Sequence, residues 1–133
     1  MGCDIHLVLE RRRKPTEDWL GILASDLIPG RSMVVARRDY DFFAEVANVR
    51  GRTSDSKNYP RNVPEDISAL AWQLYMSAPT DHHSASHMTA AEFCEVHHAV
   101  NPEGSRAEFA TYDLLGVWAD QRDEHRVVFW FDN

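Results

Sequence analysis

Apolar and polar positions alternate near the start of the sequence. Ile5, Leu7 and Leu9 fall on one side of an extended chain, and Asp4, His6 and Glu10 on the other, with Val8 among them. A period of two marks a strand with one face in a core. Aspartate and glutamate are poor strand formers, so the apolar side has to override their propensity. The apolar run Trp19-Leu20-Gly21-Ile22-Leu23 predicts a second strand that pairs back on the first as a hairpin. Arg126-Val127-Val128-Phe129-Trp130-Phe131 is apolar on both faces, which predicts a central strand.

Between these strands the period changes. Phe42, Phe43, Val46, Ala47 and Val49 lie at helical spacing over residues 37–50, with Asp39 as N-cap and Gly51 at the C-terminal cap. Pro64, Glu65 and Asp66 have the chemistry of a first helical turn. Ile67, Leu70, Ala71, Leu74 and Tyr75 continue that face to about Ser77. Thr89-Ala90-Ala91-Glu92 matches a capping box and predicts a helix carrying Phe93, Val96 and His97. Residues 83–87 then form the approach to that helix. A further helix is expected over residues 107–119, with Leu114, Leu115 and Trp118 inward, and a short extended piece over residues 33–36. The polar run 52–63 is long for a connection in a compact domain and is expected to be a mobile loop. The predicted fold is α+β, a small mixed or antiparallel sheet with three to four helices packed on it, in a single globular domain spanning residues 1–133.

Charge narrows the function classes. With 14 Lys and Arg against 21 Asp and Glu the formal charge is −7. That balance argues against non-specific DNA binding, which relies on basic patches. Cys3 and Cys94 make no disulfide framework, and there is neither a secretory leader nor a run of 18 apolar residues. A cytoplasmic protein with reduced thiols is expected, with no membrane span. Met1-Gly2-Cys3 suggests lipidation, but His6 stands where that motif wants Ser or Thr, and the residues that follow read as a buried strand.

Three clusters carry candidate chemistry. Asp4 and His6 share one strand face, Asp81 to His87 is dense in imidazoles and hydroxyls, and Asp132 ends the apolar strand. If the first and last strands are neighbours, Asp132 could lie near one end of the first strand. The histidine-rich segment could then close over the same edge. Asp4, His6 and His83 would ligate a divalent metal (Zn, Mn or Mg), with Asp132 as ligand or base. Ser84 and Ser86 would supply hydroxyls, and Arg38 or Arg50 would grip phosphate oxygens. His82, His97, His98 and His125 read as surface residues, and Cys94 as core.

Several stretches together resemble a family of small uncharacterised proteins from bacteriophages and bacteria. They are Gly2-Cys3-Asp4-Ile5-His6, Arg38-Asp39-Tyr40-Asp41-Phe42-Phe43-Ala44 with Val49-Arg50-Gly51, Val63-Pro64-Glu65-Asp66-Ile67-Ser68, His83-Ser84-Ala85-Ser86 with Thr89, and Val127 to Asn133. His87 departs from the pattern, where an aromatic residue is expected. The resemblance implies an intracellular phage or bacterial setting and no particular activity. It points to Asp4, His6, Arg38, Tyr40, Arg50, His83, Ser84, Ser86 and Asp132 as site positions. The expected function is a metal-dependent hydrolase of phosphate esters, of nucleotide or nucleic-acid phosphodiesterase type. The alternative is a non-catalytic phage protein that binds a small nucleotide or a host defence protein.

Overall fold

The computed structural model describes residues 2–26, 38–49, 58–77, 81–102 and 123–132. Arg50, Gly51, the extended piece at 33–36, the first part of the 52–63 loop and the helix expected at 107–119 lie outside the described residues.

The fold is α+β. Among the described residues four strands, β1 (Asp4–Arg12), β2 (Leu20–Ala24), β3 (His82–Thr89) and β4 (Glu124–Asp132), form one antiparallel sheet in the order β2-β1-β4-β3. The first and last strands are neighbours, and β4 is central, as its two apolar faces predict. Among the described residues three helices pack on the sheet: α1 (Tyr40–Ala47), α2 (Ala69–Tyr75) and α3 (Ala90–Val100). The alternation in β1 and β4 divides the core in two. Ile5, Leu7, Leu9, Val127, Phe129 and Phe131 face α1 and α3, where Phe42, Phe43 and Phe93 complete a buried aromatic cluster. Val8, Val128 and Trp130 face the other way, toward Ala71 and the partly buried Leu70, Leu74 and Tyr75 of α2. Each fully buried large apolar side chain contributes roughly 1.5–3 kcal/mol, which outweighs the poor strand propensity of Asp4 and Glu10.

Local chemistry sets the helix ends. The Asp39 side chain accepts from the Phe42 amide, and Asn48, in the left-handed region at φ 54°, closes α1. Thr89 and Glu92 form the expected reciprocal capping box on α3. The second helix begins later than Pro64. Residues 64–67 form a turn, and Ser68 caps α2 while its amide donates to the buried Glu10 carboxylate at 2.6 Å. Gly21 lets α2 sit close on β2, since a Cβ there would meet the Leu70 side chain at 2.8 Å.

The segment expected to be a loop before α3 is instead β3. Its register against β4 shifts between His83 and Ser86, so that Ser84 and Ala85 together oppose Trp130, with Ser84 at φ 54°. This is a β-bulge, and it changes which face each histidine occupies.

Candidate functional site

The face of the sheet that carries α2 ends in a polar cluster. Asp4 pairs with Asp132 across β1 and β4, His82 pairs with Asp132 across β3 and β4, and His6 lies opposite Trp130. Directly opposed residues share a face, so Asp4, His6, Asp132, Trp130 and His82 form one surface. Past the end of β2, Ser25 continues the hairpin: its amide donates to the Leu7 carbonyl at 2.9 Å, and its hydroxyl accepts from the Leu7 amide at 2.9 Å. That places Asp26 beside His6.

His6 is clamped between two carboxylates. Its Nδ1 lies 2.8 Å from Asp26 Oδ1 and its Nε2 2.6 Å from Asp132 Oδ2. Carboxylate oxygens accept, so this geometry is met when both ring nitrogens carry protons. The Asp26 hydrogen bond is the largest influence. With help from Asp132 and against the pull of burial, it lifts the imidazole from its ordinary 6.5 to about 9. The same bond holds the Asp26 carboxyl below its usual range, although burial opposes it. His6 is therefore an imidazolium at neutral pH.

His82 has different hydrogen-bond partners. Its ring centroid is 5.7 Å from that of His6. Its Nδ1 lies 2.8 Å from the Tyr75 carbonyl oxygen at the end of α2. A carbonyl can only accept, so Nδ1 donates, and in the neutral ring Nε2 keeps the lone pair. Behind the two histidines stand Trp130, stacked 6.1 Å from His6, and Tyr75, stacked 5.7 Å from His82. At the outer edge Asp4 is gripped by Arg38, with Nε 2.6 Å from Oδ1 and Nη2 3.3 Å from Oδ2. The Arg38 hydrogen bond holds the Asp4 carboxyl below its usual range.

The residues expected at the site from the sequence divide between two faces. Asp4, His6, Asp132 and Arg38 come together. His83 does not join them: it pairs with Phe131 and stacks on that ring at 6.1 Å, on the α1 and α3 side. The bulge at Ser84 puts His82 on the site face instead. Ser84 Oγ shares a 3.0 Å hydrogen bond with His83, and the fully buried Ser86 Oγ accepts from the Arg61 amide at 3.1 Å. Ser86 thus pins the described end of the 52–63 loop to β3. Tyr40 Oη accepts from the Cys3 amide at 3.3 Å and supports the start of β1.

The expected ligand set of Asp4, His6 and His83 is therefore not assembled. Both ring nitrogens of His6 and both oxygens of Asp4 already face other partners, and Asp26 and Asp132 lie on opposite edges of one imidazole. Among the described residues no three His, Cys, Asp or Glu side chains are arranged to hold a metal ion.

Two members of the site were not singled out in the sequence. His82 read as a surface residue because a β-bulge leaves no periodic signal. Asp26 was legible only by extending the hairpin register two residues beyond β2. Elsewhere, His97 and His125 are buried rather than at the surface. At the opposite end of the same sheet face, the fully buried Glu10 pairs with Arg126. Arg126 also reaches Asp66 at 2.7 Å and lies 4.1 Å over the Trp19 ring. That network ties β1 and β4 to the start of α2.

No family model, curated protein or solved structure matches this chain. Among the described residues no helix is long and apolar enough to cross a membrane.

Proposed function

We propose that the protein hydrolyses phosphate esters at the His6–His82 end of the sheet. The observation that carries the reading is a pair of imidazoles 5.7 Å apart, one with both ring nitrogens on carboxylates and the other with only Nδ1 on a backbone carbonyl. An imidazole with a ring nitrogen left for proton transfer, beside a fixed cation, is a usual basis of acid–base chemistry at neutral pH. In this reading His82 Nε2 takes a proton from water as its oxygen attacks phosphorus. The bond to the leaving oxygen breaks, and that oxygen takes a proton from solvent. A phosphoryl group displaces Asp4 from the Arg38 guanidinium, which then grips its oxygens, while His6, whose two N–H groups stay with Asp26 and Asp132, contributes only its charge. Asp26 and Asp132 keep His6 charged and oriented.

The metal dependence expected from the sequence does not fit the arrangement of Asp4, His6 and His83, so no step is drawn through a metal ion. The test is release of nitrophenolate from 4-nitrophenyl phosphate and bis(4-nitrophenyl) phosphate. Turnover should persist in EDTA and fall by at least about 100-fold in His82→Ala, the ordinary worth of a general base. Turnover abolished by EDTA and restored by Mn²⁺ or Zn²⁺ would instead favour the metal-dependent form. Binding of phosphate esters without turnover would favour the non-catalytic alternative.

A further inference from the structure

The aromatic side chains around the two histidines do not stop at the site. From His6 the rings continue to His82 at 5.7 Å, from His82 to Tyr75 at 5.7 Å, and from Tyr75 to Trp72 at 6.2 Å. Trp130 backs the middle of the series, 5.6 Å from His82 and 5.4 Å from Tyr75. The inner end is buried, with Trp130 only 1% exposed, whereas Trp72 is 47% exposed and Met76 beside it 44%. Burial in the α2 core therefore accounts for Trp130 but not for Trp72. The helix explains how the platform is aimed. Ser68 at its start is tied to Glu10 at one end of the sheet, and Tyr75 at its finish is tied to His82 at the other. The exposed Trp72 ring is thus held one helical turn from the residue that fixes His82.

We propose that Trp72 and Tyr75 form a nucleobase subsite, so that the phosphate ester taken by the site is a nucleotide. This rests on the phosphate-ester reading above and adds the substrate class to it. A planar, neutral, aromatic group is what an exposed indole next to a tyrosine recognises by stacking, and every nucleobase offers such a face. The distribution of charge agrees. The polar groups that address phosphate, His6, His82 and Arg38, lie at the sheet end, and the apolar rings lie to one side of them. A nucleotide has the same division between its phosphate and its base, with a sugar to span the interval. The acidic surface of the molecule suits a small nucleotide better than a long polyanion.

The experiment compares two ligands that share a phosphate and a ribose and differ in the base. Calorimetric titration of the whole protein with adenosine 5′-monophosphate and with ribose 5-phosphate should show the nucleotide binding about tenfold more tightly, within the range of one base–aromatic stack. Trp72→Ala should remove that preference and leave the affinity for ribose 5-phosphate unchanged. Trp72→Phe should restore part of it. Because Trp72 is exposed, both variants are expected to keep the parental thermal midpoint, which is measured alongside. Equal affinity of the parent for the two ligands would overturn the base subsite while leaving the phosphate site standing. A preference that survives Trp72→Ala would overturn the role given to this ring. Failure of both ligands to bind would overturn the subsite and the phosphate-ester reading together.

Discussion

At the scale of single residues, the account turns on His6. A histidine held between two carboxylates couples its protonation to folding. Its folded pKa is raised from 6.5 to about 9, so the stabilisation is fully present below 6.5 and is lost as pH rises through 9. Asp26 works at the other limit: its carboxyl is depressed, so its contribution exists above its ordinary 3.8 and is lost as pH falls below that. The thermal midpoint is therefore expected to decline between about pH 6.5 and 9. Asp26→Asn removes the largest cause of the shift and should flatten that decline. The same slope in the parent and in Asp26→Asn would mean that another group sets the pH dependence. Asp4 and His6 were legible as a pair in the sequence because strand alternation puts them on one face. Asp26 was not, since its position depends on how far the hairpin ladder runs. That length is set by the Ser25 hydroxyl and amide rather than by apolar spacing.

At the scale of elements, period and capping were reliable guides where burial dominates. The alternation of β1, the doubly apolar β4, the Asp39 cap and the Thr89 capping box all appear as the sequence predicts. The histidine-rich segment did not, because β3 has few apolar residues and owes its strand form to the exposed edge of β4. Its bulge then reverses the faces of His82 and His83, a change that no pattern of residue types announces. The late start of α2 has a similar origin. The Ser68 amide is committed to Glu10, and Glu10 is fully buried because Arg126 pairs with it. Arg126→Met should thus cost about 3–5 kcal/mol in denaturant unfolding, since it leaves a buried carboxylate without its partner. Glu10→Gln combined with Arg126→Met should recover much of that loss. A single variant within 1 kcal/mol of the parent would contradict the bridging role of this network.

At the scale of the whole molecule, the fold makes an electrostatic setting that no segment makes alone. His6, Asp26, His82 and Asp132 come from four places in the chain and meet because β4 lies between β1 and β3. Unfolding disperses them, and the His6 imidazole then returns to ordinary behaviour. The fold gives His6 two carboxylate acceptors and His82 a single carbonyl acceptor at Nδ1. Long-range ¹H–¹⁵N correlation spectra of the histidine rings, recorded across a pH titration, test it most directly. His6 should show two protonated nitrogens through neutral pH and titrate near 9, and the neutral form of His82 should carry its proton on Nδ1. In denaturant His6 should titrate near 6.5. A folded protein in which His6 titrates near 6.5, or in which neutral His82 is protonated on Nε2, would contradict the account.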